Sequence, residues 1–315
     1  MKQAVVIVNP HSGKRKNKEQ IDTSKCLSLF KRHGYEVIYY KTTYPGHITD
    51  IVKELPDNID LVISVGGDGT LNEAMVGNFM RKKRLVIAHL PYGTTNDVGV
   101  MFGFGKNLYK NLQLILSGVV KGVDICTING HPFIYSAGFG KFMNVPYETS
   151  RNLKKKLGKT AYILKAIRDF LSRKTPLYEI SYEVNGETYH GLYSFALISS
   201  ANRIAGIPHF YRDVKLNDNA FEVAFCNLQT KRDIVKSLIY LRLNDITKVP
   251  GFYFHKTNHI RIEFHDKLKT SWCLDGELYH SGDCVYDIQI ERGIPMVVAE
   301  HVVNQMFISE DDKSE

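Results

Sequence analysis

Cysteine is scarce, and none of it is paired: Cys26, Cys126, Cys226, Cys273 and Cys284 are scattered along the chain with no Cys-x-x-Cys. That pattern excludes a zinc ribbon or a disulfide framework and suits a reducing cytoplasm. Long apolar runs are also missing, and none approaches the roughly 18–20 residues needed to cross a bilayer. Met1-Lys2-Gln3-Ala4 runs straight into a strand pattern, so no signal peptide is expected. Nothing matches Gly-x4-Gly-Lys-Ser/Thr, which removes the Walker type of phosphate loop. The histidines show no metal-ligand spacing; His255, His259 and His265 read as scattered surface residues, and Trp272 as core. No internal repeat is visible.

What remains is a globular composition, 43% hydrophobic and 23% charged, over 315 residues, enough for two domains. The net charge of +8 is concentrated: Arg151 to Thr175 holds nine basic residues and one acid, Asp169. Such a segment reads as a surface for an anionic partner, either nucleic acid or membrane on charge alone. Residues 1–125 alternate strand and helix signals: strands at Ala4–Val8, Tyr35–Tyr40, Leu61–Val65 and Leu85–His89, a polar helix from about Lys16 to Lys31, and a helix opening near Leu71. That alternation predicts an α/β domain with a parallel sheet, whose ligands sit at the carboxyl ends of the strands. Residues 126–295 change to hairpins, with Asn129-Gly130 and Asn185-Gly186 as turns, the latter between Tyr178–Val184 and Thr188–Ile198. Further strands at Ile260–Phe264 and Val285–Arg292 complete an antiparallel β-sandwich carrying helices at Leu153–Leu171 and Lys231–Leu241. Residues 296–309 are expected to return to the first domain, and 310–315 to form an acidic tail.

Gly66-Gly67-Asp68-Gly69-Thr70 follows the third strand directly and precedes a helix. Its glycines let backbone N–H groups converge on phosphate, and the helix adds its positive end. Asp68 in the middle would repel phosphate unless a cation or a hydroxyl lies between, which suggests Mg²⁺ or an acceptor hydroxyl. Asn9-Pro10-His11-Ser12-Gly13 ends the first strand, and Pro91-Tyr92-Gly93-Thr94-Thr95-Asn96-Asp97 ends the fourth. A parallel sheet brings all three loops to one edge. In the second half, Asp275-Gly276-Glu277 places two carboxylates around a glycine. Their repulsion would hold one proton more tightly, so a general base near neutral pH becomes available.

These motifs, in this order and spacing, resemble the diacylglycerol kinase catalytic-domain family. The resemblance continues through Tyr147-Glu148-Thr149, Asp213–Asp218 and Leu274–Glu277. It implies an ATP-dependent lipid kinase, with diacylglycerol as the leading acceptor and phosphatidic acid as product. By the resemblance, Asn9, Ser12 and Gly13, with Pro10 and His11 between them, hold ATP phosphates and ribose, and Thr42 lies beside the nucleotide. Gly66 and Gly67 through Asp68, Gly69, Thr70, Leu71, Asn72 and Glu73 wrap the phosphates, with Gly93 and Thr94 contacting them from the third loop. Asp68, Asp97 and Asp275 would organise Mg²⁺ through waters, while Asp275 and Glu277 both stand as candidates to deprotonate the lipid hydroxyl. A structural Mg²⁺ would take the Lys215 carbonyl, the Asp218 carboxylate and the Ala220 carbonyl. The family is often dimeric, so a homodimer is admitted.

Three departures from the family pattern stand out. Val98-Gly99-Val100 replaces a basic residue, Asn217-Asp218-Asn219 replaces Asp-Asp-Gly, and the stretch before that loop reads Ala201-Asn202-Arg203-Ile204-Ala205-Gly206. Asn219 tolerates the left-handed region, so the turn is expected to survive. NAD kinase, which shares the glycine loop and two-domain plan, is the runner-up, and an inert lipid- or nucleotide-binding homologue is the reading from another class. Nucleic acid is disfavoured because no aromatic platform accompanies the basic helix. The expected location is the cytoplasm, with peripheral attachment to an anionic membrane.

Overall fold

The computed structural model describes residues 1–12, 23–93, 95–140, 176–204, 207–208, 211, 214–227, 230, 232, 251–266 and 271–309. The predicted helix at 153–171, that at 231–241 apart from residue 232, the basic 151–175 segment and the acidic tail fall outside these residues. The chain forms two units, one of Met1–Ile125, Lys215–Asp218 and Glu291–Glu315, the other of Cys126–Val214 and Asn219–Ile290.

The first unit is a parallel α/β sheet. Its elements are β1 (Lys2–Val8), α1 (Thr23–Arg32), β2 (Tyr35–Lys41), α2 (His47–Glu54), β3 (Leu61–Gly66), α3 (Asp68–Phe79), β4 (Ile87–Pro91), α4 (Asp97–Met101), α5 (Leu108–Leu116) and the start of β5 (Val119–Ile128). The sheet order is β2-β1-β3-β4, every pair parallel. Val5, Val62, Ile63, Ile87 and Ala88 have no exposed surface, as expected of strands covered on both faces. Helix α1 stops at Gly34, whose φ of 78° supplies the left-handed position that ends a helix. Helix α2 ends on a buried arginine: Arg81 Nη1 donates to the carbonyls of Val52, Lys53 and Leu55, taking up acceptors the helix cannot satisfy itself.

Two boundaries differ from the sequence reading. The helix expected from Leu71 begins at Asp68, with Gly67 extended at its cap, so Gly69 and Thr70 lie in its first turn. The fourth strand is Ile87–Pro91 rather than Leu85–His89, because its pairing with β3 runs on to Gly66↔Pro91.

The second unit is antiparallel. It contains the end of β5, then β6 (His131–Phe133), β7 (Ser136–Gly140), β8 (Tyr178–Val184), β9 (Glu187–Tyr193), β10 (Phe195–Ser199), β11 (Arg203–Ile204), β12 (Ile207–Pro208), β13 (Phe221–Cys226), β14 (Phe252–Thr257), β15 (His259–Phe264), β16 (Trp272–Leu274), β17 (Glu277–Tyr279) and the first part of β18 (Val285–Val298). One layer has the order β14-β13-β10-β7-β16-β17, and in the other β15 pairs with β18 and β8, and β8 with β9. Asn129-Gly130 and Asn185-Gly186 make the predicted hairpin turns, with φ of 48° and 80° and of 52° and 80°. The single strand expected over Thr188–Ile198 is two strands in different layers. Its break is Ser194, whose N–H and hydroxyl both donate to the Cys226 carbonyl, at 2.7 and 2.9 Å. Between the layers, Phe139 meets Phe264 edge-on at 4.9 Å and Tyr182 stacks on Phe225 at 4.1 Å, while within its own layer Phe139 meets Trp272 edge-on at 5.1 Å. His255 is part of this packing, 3.0 Å from the Tyr182 hydroxyl, where a surface position was expected.

Candidate functional site

In the first unit the strand ends bring the three predicted loops together. The Asn9 N–H donates to the Val65 carbonyl, so the loop after β1 starts against the end of β3. The Asn9 side chain then closes its own loop, its Oδ1 accepting from the His11 N–H at 2.9 Å and its Nδ2 donating to Thr70 Oγ1 at 3.3 Å. Ser12 Oγ lies 3.4 Å from the same Thr70 hydroxyl. Asn9, Ser12 and Thr70 thus meet at the opening of α3. Gly13 and Thr94 lie outside the described residues.

Glycine stands where the backbone is crowded, by its own loop at Gly66 and by a neighbouring loop at Gly93. A Cβ on Gly66 would sit 2.3 Å from Thr70 Oγ1, and one on Gly93 would sit 2.6 Å from the Gly67 Cα. The third loop is held by Asn96, in the left-handed region at φ 52°, whose Oδ1 accepts from the Gly93 N–H at 2.6 Å.

Asp68 joins the second loop to the third. Its Oδ2 accepts from Thr95 Oγ1 at 3.1 Å and from the Asp97 N–H at 3.2 Å, and its Oδ1 from the Val98 N–H at 3.4 Å. The carboxylate therefore caps α4 instead of standing free in a phosphate nest. Burial first, then the neighbouring Asp97 charge, push Asp68 up to about 6. Asp97 itself is fully buried. Thr95 and Asn96 carry no role in the sequence pattern above, although their side-chain oxygens beside Gly93 and Asp97 are the usual equipment of a tight loop.

On the far side of α3, Glu73 Oε2 accepts from the Gly46 N–H at 3.0 Å and the Glu73 carbonyl accepts from Thr49 Oγ1 at 2.8 Å. Thr42, buried, donates its N–H to the Val8 carbonyl at 3.0 Å, which sets the end of β2 beside the end of β1.

In the second unit, Asp275 and Gly276 form the turn of the β16–β17 hairpin, with φ of 50° and 86°. Asp-Gly is a two-residue hairpin signal in its own right. Asp275 is buried. Its carboxylate accepts from the N–H groups of Ile134 (2.6 Å), Tyr135 (2.9 Å) and Ser136 (3.0 Å), and its own N–H donates to the Ser136 carbonyl. Glu277, at the other end of the turn, is exposed. The two carboxylates of the triplet therefore stand in opposite environments.

Of the predicted metal loop, Lys215 and Asp218 belong to the first unit and Ala220 to the second. Lys215 Nζ donates to the Gln305 carbonyl at 2.8 Å, and Asn219 takes the left-handed conformation that its substitution for glycine requires, at φ 55°. Among the described residues, no three His, Cys, Asp or Glu side chains cluster as a metal site.

Residues 3–128 match the diacylglycerol kinase catalytic domain. The chain is 29% identical to a diacylglycerol kinase of Bacillus subtilis (strain 168) over 279 residues, covering 88% of this chain and 90% of that one. It is 29% identical over 311 residues to a diacylglycerol kinase of Staphylococcus aureus (strain bovine RF122 / ET3-1), covering 98% and 96%. Among solved structures, a diacylglycerol kinase from Bacillus anthracis str. Sterne superposes with a TM-score of 0.75 at 25% identity, over 96% of this chain and 99% of that one.

Proposed function

We propose that this chain, whose residues 3–128 match the diacylglycerol kinase catalytic domain and which is similar to diacylglycerol kinases along most of its length, is a kinase of that family and transfers the γ-phosphoryl group of ATP to a lipid hydroxyl, with diacylglycerol as acceptor and phosphatidic acid as product. The observation that carries this reading is the meeting of Asn9, Ser12 and Thr70 with the Gly67–Gly93 contact at one sheet edge. Side-chain donors, closely packed glycine backbone and the first turn of α3 there offer a phosphate chain several N–H and O–H partners at once.

Asp68 and Asp97 fit a divalent cation. They are buried carboxylates close enough for one charge to raise the other's proton affinity, and a cation lowers that cost. Mg²⁺ held there would supply charge neutralisation for phosphate transfer. Lys215, Asp218 and Ala220 offer hard oxygen donors for a second, structural ion. Glu277 is the better base for the acceptor hydroxyl, because the Asp275 carboxylate is committed to the Ile134–Ser136 N–H groups. Asp275 then positions the turn that presents Glu277.

No helix among the described residues is long and apolar enough to cross a membrane. A kinase working on a bilayer lipid from outside must dock, and the basic 151–175 segment is the surface proposed for it. Labelled ATP with a panel of lipids in mixed micelles, products resolved by mass, tests the assignment. Mg²⁺-dependent phosphorylated lipid is expected. No phospholipid, with NAD⁺ converted to NADP⁺ instead, would replace this reading by that of an NAD kinase.

A further inference from the structure

We propose that Tyr44 is the platform on which the purine base of the nucleotide donor stacks; this rests on the nucleotide-kinase reading above. Tyr44 lies just past β2, on the loop that Thr42 ties to the end of β1 and that Gly46 and Thr49 tie to Glu73. Glu73 is five residues into α3 from Asp68, which at 1.5 Å per residue puts this loop about 7–8 Å along the helix from its phosphate-facing end. A ribose bridges a separation of that order.

The ring is already prepared for a partner. One face stacks on His47, with centroids 4.4 Å apart and planes 16° from parallel. The hydroxyl donates to Asp50 Oδ2 at 2.8 Å. His47 is fixed in turn, its Nδ1 meeting the Thr43 N–H at 3.1 Å and Thr43 Oγ1 at 3.2 Å. With one face and the hydroxyl engaged, Tyr44 is still 52% exposed. An aromatic ring held rigid with a free face costs little further ordering when a base lies on it. Stacking favours the larger surface of a purine over a pyrimidine.

The test uses the full chain and two probes, ADP and inorganic tripolyphosphate, with equilibrium binding measured by calorimetry. Tyr44→Ala should weaken ADP about tenfold or more, leave tripolyphosphate unchanged and reduce any preference for ATP over CTP. Tyr44→Phe, which keeps the ring, should stay near the parent. In turnover, Tyr44→Ala should raise the KM for ATP with kcat within about twofold, as loss of uniform binding requires. Unchanged ADP binding overturns the platform. Equal loss of ADP and tripolyphosphate also overturns it, because the loop would then be a structural support only. If the parent binds neither probe and phosphorylates no lipid, the donor reading itself falls and takes the platform with it. A parent active with ATP beside an unaffected Tyr44→Ala removes the platform alone.

Discussion

Asp68 loses most of its water on folding and faces the charge of Asp97, and these two effects, in that order, carry its proton affinity up to about 6. The unfolded carboxyl has the ordinary value of 3.8, so the folded state binds the proton more tightly and this contribution is most favourable below that value. As pH rises through 6 the favourable term is lost, and an ionised Asp68 then costs about 3 kcal/mol. Asp68→Asn measured by urea titration without divalent ions should therefore be more stable than the parent above about pH 6, by roughly 1–3 kcal/mol. The gain should fade toward about pH 4. Its turnover should drop by about 10²-fold or more if the carboxylate acts on the phosphates through a cation. A variant less stable at every pH would mean that the bonds to Thr95, Asp97 and Val98 outweigh the buried charge. Asp275 calls for the opposite expectation. Asp275→Ala leaves the N–H groups of Ile134, Tyr135 and Ser136 without their acceptor, each worth about 1–3 kcal/mol when stranded. It should lower the melting temperature clearly, while Glu277→Gln should keep the fold and cut turnover by about 10²–10⁴-fold. A fully stable Asp275→Ala with normal turnover would deny it even the positioning role.

At the scale of elements, β3 and β4 are joined by more than their ladder. Ser64 and His89 stand opposite each other in the register, and His89 Nδ1 lies 3.0 Å from Ser64 Oγ. His89 is wholly buried, and burial pushes it down to about 4 from the ordinary 6.5, the hydrogen bond with Ser64 opposing. The neutral ring is what the folded sheet accepts. Its contribution is intact above 6.5, and stability is lost as pH falls from 6.5 toward 4, by about 3 kcal/mol over that window. The sign is opposite to that of Asp68, so the two partly cancel in the parent over the same range. Acid titration of Asp68→Asn should expose the histidine, with stability falling more steeply below about pH 6 than in the parent. A double variant that also carries His89→Gln should flatten that slope. An equally steep slope in the double variant would place the acid-sensitive group elsewhere.

For the molecule as a whole, the basic excess of residues 151–175 makes a prediction that depends on salt rather than on any one contact. Each basic side chain near an anionic bilayer is worth about 1 kcal/mol, screened within a Debye length of about 10 Å at 0.1 M salt. Activity on vesicles should rise with anionic lipid and fall with salt, while activity on a short-chain soluble acceptor should hardly change. Reversing Lys154, Lys155 and Lys156 to Glu should reproduce the salt effect at low ionic strength. If the triple variant works on anionic vesicles as well as the parent, the segment serves solubility only.

The sequence by itself determined what is local and periodic. Alternating apolar runs announced the parallel strands, Asn-Gly announced the hairpins at Asn129 and Asn185, and the three glycine-bearing loops followed strand ends, which parallel topology must bring to one edge. Those features are set by backbone sterics and by strand and helix repeat, which read a few residues at a time. Tertiary structure decided the rest. Asp68 became a cap for α4 because residues some thirty positions on fold back over it, and Asp275 became buried because Ile134–Ser136, far earlier in the chain, supply its hydrogen bonds. Ser194 divides one apparent strand between two layers because the Cys226 carbonyl, in another strand, claims its donors. The short 215–218 excursion into the first unit carries no periodic mark at all, since it rests on pairings such as Leu216 with Asp124 and Met306. A side chain's charge state and hydrogen-bond partners depend on what is adjacent in space, and that adjacency is absent from the chain until it has folded.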